Sequence, residues 1–307
     1  MNTNQNYDPD YISAFFDDYA EREWERFERG GASRVNFLVH RHHLQRFVKS
    51  GDHVLEAGAG PGRFTIELAR IGAKVTVVDI SPVQIKLNRQ KVGKAGCESS
   101  VTGRHVADIV DLSRFPDARF DVTVCYGGGL SYAMDRAADA LAELVRVTKP
   151  GGYILVSVMS LVGSAGALLS TFPDLIEKFG RDSLDREIAT GDLFGPTSRG
   201  HRCHMYRWSE LEALLKTQDF EIVGKSASNF LVINNEDAVT AFEHDPELYE
   251  WFLRWEIEYC QEPGAIDGGT HMIAIVRRGN SERNCPHRPG RSFLSDGLGE
   301  PPPTQPE

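Results

Sequence analysis

Along this chain apolar positions follow two alternating periods. Short apolar runs recur at His53-Val54-Leu55, Lys74-Val75-Thr76-Val77-Val78, Arg104-His105-Val106-Ala107-Asp108-Ile109 and Phe120-Asp121-Val122-Thr123-Val124-Cys125. They return at Tyr153-Ile154-Leu155-Val156-Ser157-Val158, Phe220-Glu221-Ile222-Val223 and His271-Met272-Ile273-Ala274-Ile275-Val276. Runs of this length, bounded by Gly, Pro and polar residues, predict strands. Between them the spacing becomes helical. Phe64, Leu68, Ala69 and Ile71 share a face, as do Ala138, Leu141, Leu144 and Val145 in an Asp135-to-Val147 helix with Asp135 as its cap. Ser81-Pro82 with Gln84 opens a helix running to about Gly93, and Ser209 with Glu212 opens another; both pairs have capping-box spacing. Tyr11, Phe15 and Tyr19 predict an N-terminal helix, and Phe37, Leu38, His40, Leu44, Phe47 and Val48 the next. Glu236 to Tyr259 is helical in pattern, with Phe242, Leu248, Phe252, Trp255 and Tyr259 expected in the core. Strands alternating with helices predict an α/β fold.

The stretch from Val54 to Asp79 organises the rest. It is a strand, the turn Glu56-Ala57-Gly58-Ala59-Gly60-Pro61-Gly62, a helix and a second strand ending in Asp79, which is one βαβ unit. Glycines at every second position let the backbone turn sharply and approach a ligand closely. The loop falls at the carboxyl end of a strand, where open α/β sheets bind ligands. Asp79 can accept two hydrogen bonds from a ribose diol. A ribose-bearing guest is expected. A dinucleotide fingerprint would place a small residue where this chain has Arg63, and its third glycine comes one residue early, at Gly62.

An apolar strand, the acid Glu56 and G-x-G-x-G resemble the first motif of the class I S-adenosylmethionine-dependent methyltransferases. The resemblance covers roughly Phe47 to Val158, including Glu143 through Gly152, and more loosely the final strands. It implies a Rossmann-like, doubly wound, seven-stranded and mostly parallel sheet with the last strand antiparallel. It implies S-adenosyl-L-methionine as methyl donor, held by Glu56, Gly58, Ala59, Gly60, Gly62, Asp79, Ile80, Asp108, Ile109 and Tyr126. Asp108 would bond the adenine amine and Ile109 line the ring. It also favours an N-terminal helical lid over residues 1–46, ahead of a cofactor domain spanning 47–278. A loosely patterned insert at about 160–206, with one helix expected near Leu168 to Phe179, would help form the acceptor pocket. No Asn-Pro-Pro-Tyr or Asp-Pro-Pro-Tyr follows Cys125, which lowers the reading of a nucleobase-amine methylase.

The 307 residues carry a formal net charge of -10, which repels nucleic acid and anionic membranes and argues against a non-specific nucleic-acid binder; the small-molecule acceptor is what the resemblance implies. Tyr153 to Leu169 is uncharged but short for a membrane span and expected to be a strand and a small-residue turn. The N-terminus is polar without a leader pattern, and five cysteines lack C-x-x-C spacing; both favour reduced thiols in a cytoplasm. Residues 279–307, with Pro301-Pro302-Pro303, are expected to be a disordered tail. Methyl transfer needs donor and acceptor close and collinear, with a base optional. The candidates are His204, His271 and Tyr126, with His201 and Tyr132 beside them. Cys203 between His201 and His204 has poor ligand spacing, so no metal is expected. The alternatives are an NAD(P)-dependent oxidoreductase on the same βαβ unit and a non-catalytic scaffold.

Overall fold

The computed structural model describes residues 6–280 apart from 195 and 199. Among the described residues nine strands occur: β1 His53–Ala57, β2 Lys74–Asp79, β3 Val101–Val106, β4 Phe120–Cys125, β5 Thr148–Met159, β6 Asp192–Leu193, β7 Cys203–His204, β8 Phe220–Ala227 and β9 His271–Arg278. Seven form one sheet in the order β3-β2-β1-β4-β5-β9-β8, while β6 and β7 pair separately. β1 to β5 run parallel, and β9 is antiparallel to both its neighbours. This is the seven-stranded, mostly parallel arrangement with an antiparallel last strand. The order reverses between β1 and β4, a topological switch point at which the carboxyl ends of the strands open a crevice.

Alternation along each strand builds two cores, one per face. Val54 and Leu155 pack in the core that holds Leu44 and Leu68, while Leu55, Ile154 and Val156 pack in the core that holds Leu141 and Leu211. Thirteen α-helices cover the faces and edges among the described residues. They are α1 Pro9–Tyr19, α2 Glu21–Glu25, α3 Gly31–Phe47, α4 Arg63–Ile71, α5 Pro82–Lys94, α6 Gly129–Tyr132 and α7 Ala137–Val147. The rest are α8 Leu161–Leu168, α9 Phe172–Phe179, α10 Arg181–Thr190, α11 Trp208–Leu215, α12 Glu236–Glu243 and α13 Pro246–Tyr259.

Several local expectations are corrected. The third strand starts at Val101 and ends at Val106, so Asp108 lies in the loop beyond it. Asp135 does not cap α7; it sits in a 3-10 turn and its carboxylate accepts from Tyr7 N at 2.7 Å. Ser81 Oγ does accept from Gln84 N, but the Gln84 amide turns to the carbonyls of Phe16 and Ala20 instead of closing the box. The box at α11 sits two residues early, with Glu210 accepting from Arg207 N. The insert holds three helices, α8 to α10, rather than one, and α8 lies where a turn was expected after β5. Pro246, capped by Asp245, splits the Glu236-to-Tyr259 helix into α12 and α13. Only Phe252 of α13's expected core aromatics is buried; Leu248, Trp255 and Tyr259 are exposed in a row with Trp251. The expected tail falls outside the described residues from 281 onward. Among the described residues no helix is long and apolar enough to cross a membrane.

Candidate active site

The glycine loop follows β1 because Gly58 N and Ala59 N both donate to Val78 O, at 2.8 and 3.0 Å, pinning it to the end of β2. Gly58 and Gly60 sit at φ 73° and 53°, in the left-handed region that side chains disfavour. A Cβ on Gly58 would meet nothing within 4 Å, so the loop presents bare backbone to open space. From the end of β2 the Asp79 carboxylate accepts Gly60 N at 2.8 Å on one oxygen and Ser81 N at 2.9 Å on the other. Burial pushes its acid up to about 6, against those two amides. Two of its roughly four acceptor positions stay unused.

A cleft of about 840 Å³, counting its open mouth, runs over this loop. Gly58, Ala59, Gly60, Asp79, Ile80, Asp108, Ile109 and Tyr126 all line it. Two expected cofactor residues lie behind the loop instead. Gly62 packs against α5, where a Cβ would stand 3.0 Å from Asn88 Nδ2 and Val92 Cγ2. Glu56 shares the face of Val54 and points toward α4, accepting from Thr65 Oγ at 2.5 Å. Asn88 Nδ2 donates to that hydroxyl at 2.9 Å, and Arg104 Nε to Asn88 Oδ1 at 2.8 Å. Arg104 then reaches Glu98 at the surface with two bonds of 2.7 Å. Burial, and secondarily the Asp79 charge, push Glu56 up to about 8, so it keeps its proton at neutral pH. This buried chain of Thr65, Asn88 and Arg104 left no mark in the sequence, since its members are 16 to 23 residues apart.

The N-terminal helices roof the cleft. Tyr7, Ile12, Phe16, Glu23, Arg26 and Phe27 line it from above. Their attachment is polar and specific. Ser13 Oγ donates to Ile80 O, Ser81 Oγ donates to Asp17, and the Gln84 amide holds Phe16 O and Ala20 O. Arg63 donates to Trp24 O at 2.9 Å, lies over the Trp24 ring at 3.7 Å and pairs with Glu28. Tyr7's hydroxyl lies against Asp108, and burial first, then that carboxylate, hold it well above the usual phenol range.

The other candidates separate. Tyr126 lines the cleft, buried, with its hydroxyl unpartnered among the described residues. His271 opens β9 behind it, with Asn36 Nδ2 3.4 Å from its Nδ1; burial holds it well below the usual imidazole range. His204 is outside the cleft, bonded to Asp192 at 2.7 Å in the β6–β7 pair. Tyr132 lines the cleft and bonds His201 Nδ1 at 2.7 Å, and Phe15 packs on the His201 ring. Sequence reasoning missed His40, whose ring stands edge-on to Tyr126 at 4.7 Å, and the pair Glu23–Arg26, 2.8 Å apart, at the roof. Among the described residues no group of His, Cys, Asp and Glu could hold a metal ion.

Residues 54–152 match the family model described as a methyltransferase domain. The chain is 32% identical over 124 residues to the ubiquinone biosynthesis O-methyltransferase of Xanthomonas oryzae pv. oryzae (strain PXO99A), covering 40% of this chain and 49% of that protein. It is likewise 32% identical over 122 residues to the ubiquinone/menaquinone biosynthesis C-methyltransferase of Azotobacter vinelandii, covering 38% and 46%. The chain thus spans about half the length of the curated relatives it matches. Two solved structures share the fold. Haemonchus contortus phosphoethanolamine N-methyltransferase 1, in complex with phosphoethanolamine and S-adenosylhomocysteine, superposes with TM-score 0.55 at 15% identity over 90% of this chain and 50% of that one. Burkholderia thailandensis 1,6-didemethyltoxoflavin-N1-methyltransferase, with 1,6-didemethyltoxoflavin and S-adenosylhomocysteine bound, gives 0.50 at 18% identity over 88% of each chain. The sheet order, the glycine loop and the family match converge on one segment: residues 54–152 are similar to a methyltransferase domain and lie in a sheet of the fold that those structures share.

Proposed function

We propose that the chain is a methyltransferase that moves a methyl group from S-adenosylmethionine to a small-molecule acceptor in the cytoplasm. The observation that carries the reading is the pairing of bare backbone at Gly58 and Gly60 with the Asp79 carboxylate in one cleft. That cradle fits a nucleoside. Asp79 has acceptor positions left for a ribose diol, Ile80 and Ile109 offer apolar walls for a purine, and Asp108, already bonded by Val110 N at 2.9 Å and faced by Tyr7, would take an exocyclic amine on a remaining acceptor position. The relatives act as methyltransferases by name, and two fold neighbours bind S-adenosylhomocysteine.

When bound, the donor supplies an electrophilic methyl group on a sulfonium. The chain's part is positioning and exclusion of water. Ile12, Phe16 and Phe27 close the roof with apolar surface, and the Arg63 and Gln84 contacts hold it down. Arg63, which departs from the dinucleotide fingerprint, is committed to that roof, a use that disfavours the nicotinamide alternative. The acidic net charge and the narrow, roofed cleft favour a small acceptor over a nucleic acid. Free thiols at Cys97, Cys125, Cys203 and Cys260 agree with a reducing compartment. Incubation with methyl-tritiated donor and a low-mass metabolite extract tests the proposal. Label should pass to a low-mass product. Donor binding without any transfer from a complete extract would count against it.

A further inference from the structure

We propose that the outer face of α13 is a docking surface for a basic amphipathic helix of another protein. Leu248, Trp251, Trp255 and Tyr259 stand there in one row, each between 40% and 48% exposed. Trp251 and Trp255 pack on each other with ring centroids 4.3 Å apart, and Tyr259 continues the row at 6.4 Å from Trp255. The row is no misplaced core. α13 already has an inner face, on which Phe252 and Cys260 are buried and Leu253 and Ile257 pack beside them. Glu256, on that same face, accepts from Leu231 N at 3.0 Å. Single exposed apolar residues are ordinary, but a contiguous row with two tryptophans is the composition of a surface that becomes covered in a complex. The inference does not depend on the methyltransferase reading.

Charge identifies what covers it. Glu247, Glu250 and Glu258 are exposed and, with the regular turn of the helix, run along the solvent border of the row, with Arg254 as the one cation among them. No ion pair holds any of these four among the described residues, whereas Glu28, Glu98 and Asp117 elsewhere on the surface each meet an arginine. Unpaired carboxylates beside aromatic rings match lysine and arginine, whose stems lie along the rings while their charged heads reach the acids. Steps of three, four and four residues along the row make a seam about 16 Å long, the spacing into which another helix packs. A helix surface has no free backbone groups to offer an extended strand, so the partner must satisfy its own backbone, as a helix does. A second copy of this chain fits poorly: across a two-fold axis the patch meets itself, with no cationic border to set against its carboxylates. An anionic membrane is repelled for the same reason, since helices that lie on membranes carry Lys and Arg beside their apolar face.

The test uses a dye-labelled leucine/lysine peptide of about 18 residues with helical spacing, long enough to hold a helix when bound. It is titrated into the full chain at physiological salt and followed by fluorescence anisotropy, beside a leucine/glutamate peptide of the same spacing. The lysine peptide should bind the wild type saturably and the glutamate peptide should not. Trp251→Gln with Trp255→Gln, which leaves every charge in place, should weaken the lysine peptide about tenfold. Glu247→Gln with Glu250→Gln and Glu258→Gln, which leaves the rings, should weaken it several-fold and flatten its salt dependence. Both variants should melt with the wild type, because only exposed side chains change; if the tryptophan pair melts lower, Leu248→Gln with Tyr259→Gln makes the same measurement. Equal affinity in the wild type and the variant lacking its exposed row overturns the proposal, since the peptide is then held by the acidic chain at large. So does equal binding of the two peptides, or a wild-type dimer in sedimentation that the tryptophan variant loses. Lysine-peptide binding that appears only after Arg283→Gln, Arg288→Gln and Arg291→Gln overturns it as well, because the row is then covered by this chain's own C-terminal residues.

Discussion

Two carboxylates 23 residues apart divide the work at the residue scale, one in the cleft and one beneath it. Asp79 faces the ligand space, and its two backbone amides keep it anionic despite burial. Asp79→Ala should weaken S-adenosylhomocysteine binding by about 1–3 kcal/mol, the cost of losing a charge-assisted acceptor; unchanged affinity by calorimetry would remove it from the ribose site. Glu56 is raised to about 8 in the folded chain against an ordinary 4.5. A raised acid adds stability below its unfolded pKa, and that stability is lost as pH climbs through the folded value. The ligand-free protein should thus lose thermal stability between the ordinary carboxylate range and about pH 8, and Glu56→Gln should flatten that slope. Parallel slopes in both proteins, by thermal melting across pH, would show that Glu56 is not held in its acid form. The sequence named both acids, but not that one lies behind the loop. Their common spacing to glycine does not reveal which face of β1 a side chain takes until α4 is packed on it.

At the scale of elements, strands were the most legible part, because apolar runs in a buried parallel sheet have few alternatives. β4 appears at Phe120–Cys125, as its pattern predicts. Caps were less legible. Ser81 acts as one, but Gln84 and Asp135 are diverted to the N-terminal roof, a long-range partner no local pattern announces. The insert hid α8 because Gly163 and Gly166 suggested a turn. They have different reasons to be there. A Cβ on Gly163 would collide with the backbone carbonyl of Gly269, whereas one on Gly166 meets nothing within 4 Å. Gly163→Ala should therefore lower the melting temperature, since backbone must move, by about 1–3 kcal/mol of stability. Gly166→Ala should be neutral or raise stability by up to about 1 kcal/mol, as alanine favours a helix interior. Equal behaviour of the two variants would mean that α8 does not dock on the 266–269 turn as described.

The whole molecule is a sheet with a switch point, a ligand cleft over it and a roof from the chain's first helices. Sheet, cleft loop and roof were each expected from pattern and resemblance. What closes the roof was not: Ser13, Asp17, Arg63 and Gln84 bond across 39 to 68 residues of sequence. Aromatic residues on α13 misled the burial estimate, since their row faces outward while Phe252 alone of them is buried. If the roof closes over a ligand, saturating S-adenosylhomocysteine should slow trypsin cleavage at Arg22, Arg26 and Arg29 several-fold. Cleavage there at the same rate with and without ligand would detach the roof from the cleft's function.

All of this turns on what the cleft accepts. Calorimetric titration of the full chain with S-adenosylhomocysteine and, separately, with NAD+ decides it. The account predicts one S-adenosylhomocysteine per chain with a saturable heat, and no comparable heat from NAD+. Saturable NAD+ binding, or no binding of S-adenosylhomocysteine by the folded protein, would contradict it.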